Sequence, residues 1–515
     1  MSVYEKYFDI GFKNTTEQPQ RKINDILSDD MILICGDFYG IQKFIFENLS
    51  SKNASKVLRA KSAFIQIFTT YLAKYICSKL GLNENSILSS SAGKFEILSS
   101  NKSFEILNDI QNKVNTYFIK NFYGLSGVSI ISIECKKEHF KDSKAYKDLR
   151  EKVTKKVEEK KFNKFDLLNN DNFVLDYDKD IDNKSLCKIC NIRKITKENC
   201  DICNSFKKLG EILVTIDIDE LISSEEIGIK FDDFVCDIIL DKKIKSYVLK
   251  EEKSYSPITF ENLAKNSCKD LKTGIKSIAI LKADVDNMGR YLKESDITDN
   301  FENFDTFSKT LDSFFSLYIT NLMKEKYKNT YTVFAGGDDL FLVGAWDEVL
   351  ALARQINNDF NKFIKNKLSI SFGIAIAKPS TPISYLAHYT EELLEDAKGI
   401  DDNKDAISLF NETVKWKSYL DTFAKLEEAF QVFEQNDINT AFLYRLLDLV
   451  EMAKKVKNEG DIKSTIWKSK LNYSFYRNMD KKYLPVLAIL NEQMEKNPSE
   501  TKMFLSEYIY KRRES

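Results

Sequence analysis

The chain has 515 residues, long enough for three or more domains with sizeable cores. Its 77 basic and 78 acidic residues leave a formal charge of −1, which excludes a blanket electrostatic hold on nucleic acid and leaves only local patches for it. No stretch has the length of a membrane span, and residues 1–30 are polar and charged rather than a signal peptide, so a soluble cytoplasmic protein is expected.

In chain order, residues 31–36 (MILICG) read as a buried strand running into Asp37-Phe38-Tyr39-Gly40-Ile41-Gln42-Lys43-Phe44. A long helix is predicted over 54–80, then strands at 87–90 and 95–98 around the turn Ser91-Ala92-Gly93-Lys94. A helix over 104–118 and a strand over 128–135 follow. Residues 136–164 carry mixed charges at i, i+4 spacing, the mark of an exposed helix whose solvated face outweighs an RNA-contact reading.

The nine cysteines fall into two groups. Cys35, Cys77, Cys135, Cys236 and Cys268 sit singly among apolar neighbours and read as buried thiols. Cys187-Lys-Ile-Cys190 and Cys200-Asp-Ile-Cys203 form two CxxC knuckles nine residues apart, a spacing that suits one tetrahedral Zn²⁺. A pair of disulfides is the competing reading, which a reducing compartment disfavours. With four cysteine ligands no coordination position stays open, so this metal would be structural. Strands at 212–221 and 231–240 are expected in the same subdomain, with 250–272 connecting onward.

A second strand, residues 276–283 (KSIAILKA), runs into Asp284-Val285-Asp286-Asn287-Met288-Gly289. Helical spacing over 301–328 precedes Tyr331-Thr332-Val333-Phe334-Ala335-Gly336-Gly337-Asp338-Asp339-Leu340-Phe341-Leu342-Val343, which reads as a β-hairpin with two carboxylates at its tip. A solvated turn is the bland reading, since Gly and Asp are ordinary turn residues. Adjacent carboxylates repel unless a cation lies between them, and Asp284 at a strand end supplies a third, so Mg²⁺ or Mn²⁺ is the expected guest. A helix over 348–363, a strand over 368–377 and a helix over 382–398 complete β-α-β-β-α-β, the ferredoxin-like order of nucleotide polymerase and cyclase palms.

The first hundred residues repeat this layout: Asp37 precedes Lys94 by 57 residues, and Asp284 precedes Asp338 by 54. The first palm has Gly93-Lys94 where the second has its acidic tip. It therefore reads as a nucleotide platform without metals, or as a degenerate structural copy. From 414 onward the pattern is helical with few breakers. The expected fold is α+β and multidomain: a first palm (1–136), a linker helix and zinc-bearing subdomain (137–270), a second palm (271–410) and a carboxyl-terminal helical bundle (411–515).

The stretches Gly36 to Phe46 (GDFYGIQKFIF), Leu58-Arg59-Ala60-Lys61-Ser62 and Ser91-Ala92-Gly93-Lys94-Phe95 are joined in order by the double CxxC, Ala283 to Gly289 and Gly336 to Asp339. Together they resemble the large, polymerase or cyclase subunit of type III CRISPR effector complexes over about residues 32–410, most like the A subtype. The resemblance implies target-RNA-activated joining of ATP into cyclic oligoadenylate, within a complex of CRISPR RNA, target RNA and small and backbone subunits. It implies Mg²⁺ or Mn²⁺ on Asp284, Asp338 and Asp339, with Asp286 as a helper. One ATP would lie by Gly336, Gly337 and the Asp286–Asn287 loop, the other by Gly40, Gln42, Lys43, Ser91, Gly93 and Lys94. Lys398 resembles a phosphate-binding lysine of related cyclases, and equally suits a helix carboxyl terminus.

Many members of that family carry an amino-terminal HD nuclease domain whose metal site needs several histidines. This sequence has only His139 and His388, so no DNase activity is expected of it. Two other readings stay open: a nucleotide-binding scaffold without turnover, and a free-standing GGDEF-like cyclase.

Overall fold

The computed structural model describes residues 26–46, 54–164, 186–196, 199–215, 219–241, 257–268, 273–365, 367–433 and 438–513, with Leu49, Ile244 and Leu249. Residues 1–25 of the polar leader, and 250–256 and 269–272 of the connector, lie outside the described residues. The chain divides into two compact units. One comprises Met1–Thr259, Met288–Phe341 and Ser380–Tyr385; the other comprises Phe260–Asn287, Leu342–Pro379 and Leu386–Ser515.

The first unit is built on β1 (Met31–Tyr39), β2 (Ile87–Ser91), β3 (Lys94–Ser99) and β4 (Gly127–Cys135), in strand order β2-β3-β1-β4. β1 pairs antiparallel with β3 and β4, is buried on both faces, and reads accordingly as a nearly unbroken apolar run. Helix Ala54–Leu80 crosses from β1 to β2 at its expected limits, and helix Phe104–Phe122 leads from β3 to β4. Phe68, Tyr71 and Tyr75 of the first helix are fully buried. Tyr75 Oη donates to Asp232 Oδ2 at 2.6 Å and Tyr71 Oη to the Phe234 carbonyl at 3.1 Å, tying this palm to the segment beyond the cysteines.

Three expectations for this unit need correction. Helix Ser143–Phe162 is not simply solvated: Tyr146, Leu149 and Val153 join a core with Met31, Leu33, Leu98 and Phe301. Its i, i+4 charges occupy the other face, and the apolar stripe at 146, 149 and 153 was the overlooked signal. The strand expected over 212–221 is helical as far as Thr215, within helix Asp201–Thr215, and only Glu220–Ser223 (β5) is strand. β5 pairs with β6 (Asp237–Leu240), far shorter than the strand expected over 231–240.

The second unit holds β7 (Ile278–Val285), β10 (Ile370–Ala377), β11 (Ala406–Leu409) and β12 (Glu412–Lys415), and the larger part of β9 (Asp339–Ala345). The sheet order is β12-β11-β10-β7-β9-β8, β8 (Thr330–Gly336) being the other arm of the hairpin. β11 and β12 were not expected. Helix Trp346–Phe363 follows β9 directly, and helix Ile383–Lys398 follows β10. Among the described residues, five α-helices between Trp416 and Arg512 form the expected carboxyl-terminal helical region. Among the described residues no helix is long and apolar enough to cross a membrane.

Candidate active site

Both hairpins turn tightly. In the first, Ala92 and Gly93 take φ of 50° and 79° between β2 and β3, the left-handed pair that two-residue hairpin turns require. In the second, Gly337 takes φ of 66°, leaving half-buried Asp338 at the tip and Asp339 at the start of β9. The two tips touch: a Cβ built on Gly336 would lie 3.3 Å from Ala92 Cβ, and one on Gly337 would lie 3.6 Å from it. Glycine at 336 eases the approach of the second hairpin to the first, while position 337 favours glycine for its left-handed φ.

A cleft of about 470 Å³ opens beside this contact. Ser90, Ser91, Ala92 and Gly93 form one wall, and Phe334, Ala335 and Gly336 form another. Helix Ala54–Leu80 contributes Arg59, Ser62, Gln66 and Thr70; Gln66 Nε2 donates to the Ser90 carbonyl at 3.1 Å, fixing that wall. Arg59 is buried and donates to the Ile244 carbonyl, and burial lowers its pKa to about 10. Asp312 and Ser316 also line the cleft, where the helix run after Phe301 passes through a π turn at Phe314–Tyr318. The sequence reading missed Gln66, Asp312 and Ser316. Polar residues at otherwise apolar helix positions were the available signal.

Asp284, near the carboxyl end of β7, pairs by register with Ser371 of β10 and forms an ion pair with Lys398 at the end of its helix. Lys398 therefore meets a carboxylate rather than serving only as a helix terminus. Asp286 is turned inward at 1% exposure and accepts hydrogen bonds from Ser369 and Ser371. Asn287, at φ of 55°, donates Nδ2 to the Asp402 carbonyl at 3.0 Å.

The residues expected around a first-palm nucleotide are divided. Ser91 and Gly93 line the cleft, whereas Lys43 lines a separate small cavity with Lys61, Arg193, Cys190 and Cys203. The φ of 73° at Gly40 turns the chain there, and its Cα faces the Leu125 carbonyl too closely for a Cβ. Gln42 is half-exposed on the short helix Ile41–Phe46. Lys94 is exposed and lies opposite Asp37 in the β1–β3 register.

Cys187, Cys190, Cys200 and Cys203 are buried with all four sulfurs within 4.8 Å of one another. Among the described residues this is the only group of three or more His, Cys, Asp or Glu side chains so gathered, and no carboxylate belongs to one. Cys190 and Cys200 Sγ stand 3.9 Å apart, far beyond a disulfide and close to the ~3.8 Å that Zn–S bonds of about 2.3 Å give in a tetrahedron. The donor set fits zinc.

Residues 277–408 match the model of the Cas10/Cmr2 second palm domain, and residues 30–179 that of Csm1 subunit domain B. The chain is 26% identical over 497 residues to the CRISPR system single-strand-specific deoxyribonuclease Cas10/Csm1 (subtype III-A) of Streptococcus thermophilus, covering 87% of this chain and 64% of the relative. It thus spans about two-thirds of that relative's length. Among solved structures, a Csm1-Csm4 cassette in complex with one ATP aligns with TM-score 0.69 and 20% identity over 94% of this chain and 70% of the other. A Csm1-Csm4 cassette in complex with cA4 aligns with TM-score 0.68 at the same identity and coverage. The ordered motifs and both domain matches make this chain a member of the Cas10/Csm1 family, the large subunits of type III-A CRISPR complexes.

Proposed function

We propose that this chain joins ATP molecules through 3′–5′ links into cyclic oligoadenylate when target RNA pairs with the guide of a type III-A complex. The observation that carries the reading is the cleft lined jointly by the Ser90–Gly93 hairpin and by Phe334–Gly336. It suits two nucleotides held against each other, one on each palm, both palms being read as ferredoxin-like. In each link the 3′-oxygen of one nucleotide bonds to the α-phosphorus of the next, the bond to the β-phosphate oxygen breaks, and pyrophosphate and a proton leave. Asp284, Asp338 and Asp339 would hold Mg²⁺ or Mn²⁺, an all-oxygen donor set that suits a hard cation. When bound, such ions acidify the attacking hydroxyl and neutralise the leaving pyrophosphate.

Relatives solved as Csm1-Csm4 cassettes, with ATP or cA4 in two of them, support a Csm4-like partner and an adenylate ligand here. CRISPR RNA, target RNA and the small subunits complete the proposed assembly, in the cytoplasm. The curated relative is named a deoxyribonuclease, but the two histidines of this sequence are too few for an HD centre. His139 accepts from the Lys136 amide and His388 is exposed on its helix. The Asp284–Lys398 ion pair favours the second reading, a nucleotide-binding scaffold without turnover.

Mass spectrometry of products from the assembled complex with ATP, Mg²⁺ and complementary RNA decides between them. Cyclic adenylates that vanish without complementary RNA support synthesis; ATP binding with no product leaves the scaffold.

A further inference from the structure

Asp286 lies two residues past Asp284, and one of its oxygens collects three hydrogen bonds. Ser369 Oγ donates to Oδ2 at 2.8 Å, Ser371 Oγ at 2.9 Å and the Asp405 backbone N–H at 3.0 Å. The Asp286 N–H donates in turn to the Ser369 carbonyl at 2.9 Å. Ser371 Oγ also accepts from the Ala406 N–H at 3.3 Å, joining the start of β11 to the same group. Three segments meet on one carboxylate: the end of β7, the start of β10, and the loop between Lys398 and β11.

Those segments carry the polar pair of the candidate site. Asp284 stands opposite Ser371 in the β7–β10 register, and the loop reaching Asp405 begins directly after Lys398, the ion-pair partner of Asp284. The other Asp286 oxygen, Oδ1, is buried with no hydrogen-bond partner among the described residues. A buried charge satisfied on one side by three donors suits a brace rather than a metal shell.

We propose that Asp286 is a positioning residue that sets the geometry of Asp284 and Lys398 and touches neither metal nor nucleotide. The role it serves rests on the nucleotidyltransferase reading of this site. Losing such an outer partner costs about ten- to a hundredfold in metal affinity or activity. Asparagine keeps an oxygen for the same three donors; alanine removes it.

The test uses the full chain with Mn²⁺ as the probe, followed by electron paramagnetic resonance, beside synthesis from ATP in the assembled complex. Asp286→Asn is expected to stay within about threefold of the unaltered protein in both. Asp286→Ala, and Ser369→Ala with Ser371→Ala, are expected to weaken Mn²⁺ binding about tenfold. Circular dichroism checks folding; if Asp286→Ala does not fold, the double serine variant carries the comparison. Asp286→Asn as damaging as Asp339→Asn would make Asp286 a ligand and overturn the proposal, as would an alanine or double serine variant that binds Mn²⁺ normally. If the unaltered complex binds Mn²⁺ yet makes no product, the synthase reading fails while the Mn²⁺ series still judges the brace. An unaltered chain that binds no Mn²⁺ defeats both.

Discussion

Lys161 Nζ lies 2.6 Å from Asp37 Oδ2, so this β1 carboxylate is already paired with a lysine of its own unit. Asp37 lies near the end of β1 as Asp284 lies near the end of β7, and Asp284 is likewise paired with a lysine, Lys398. Lys94, at the tip of the first hairpin, lies opposite Asp37 in the β1–β3 register, where the second hairpin carries Asp338 and Asp339 in sequence.

Removing Lys161 leaves a carboxylate that is only 7% exposed without its ion-pair partner. Because the lysine itself is 43% exposed, the expected cost of Lys161→Met is about 1–2 kcal/mol, below that of a fully buried pair. Adding Asp37→Asn should recover most of the loss. Urea unfolding measures both; an unchanged midpoint in the single variant refutes the pairing.

Asp338→Ala with Asp339→Ala should lower cyclic adenylate synthesis at least a hundredfold while changing stability by less than about 0.5 kcal/mol, since both residues are half-buried at a turn. Mass spectrometry and thermal unfolding of the same preparation separate the two effects. Retained synthesis excludes this hairpin as the metal site.

Metal analysis of the chain purified without chelator should give about one zinc per chain. Cys200→Ser or exhaustive chelation should lower the melting temperature, because binding and folding of a four-cysteine site are one equilibrium. A chain that melts identically with and without the metal has no structural zinc.

Glu507 is 2% exposed and held by Arg354 at 2.9 and 3.1 Å and by Lys511 at 2.8 Å. Burial alone would raise its pKa, but the two cations prevail and hold it at about 2, against about 4.3 in an unfolded chain. The folded value is the lower one, so this stabilisation is fully present above about pH 4.3 and fades as pH falls toward 2, by about 3 kcal/mol in all. Stability measured between pH 5 and 2.5 should fall less steeply in Glu507→Gln. Equal slopes would count against the pair as the source.

A Cβ on Gly373 of β10 would come within 2.5 Å of Leu394 N and Thr390 O, main-chain atoms of helix Ile383–Lys398 that cannot rotate aside. Gly373→Ala should cost about 2–3 kcal/mol and displace the helix that carries Lys398. Thermal unfolding reports the first effect, and a raised KM for ATP the second.

The parts legible in the sequence were those governed by local pattern. Helix Ala54–Leu80 was bounded by its apolar run, and both hairpin turns were marked by glycine flanked by β-branched and aromatic residues. The strand expected over 212–221 failed because its apolar residues, Ile212, Leu213 and Val214, belong to the last turn of a helix set by the second CxxC. A short apolar run fits either element, and only packing chooses. The face of helix Ser143–Phe162 was misread for a related reason: charge spacing shows where solvent can be, not what the remaining face meets.

By itself the sequence determined the two hairpins, the acidic tip at Asp338–Asp339 and the four-cysteine knuckle, because turn chemistry, hydrophobic period and ligand spacing are short-range properties. Tertiary structure decided which of those residues share a site. It set Ala92 against Gly336, turned Asp286 inward onto Ser369 and Ser371, and sent Lys43 toward the cysteines and away from the cleft. Such meetings depend on side chains brought together from segments tens of residues apart, and no spacing along the chain records that distance.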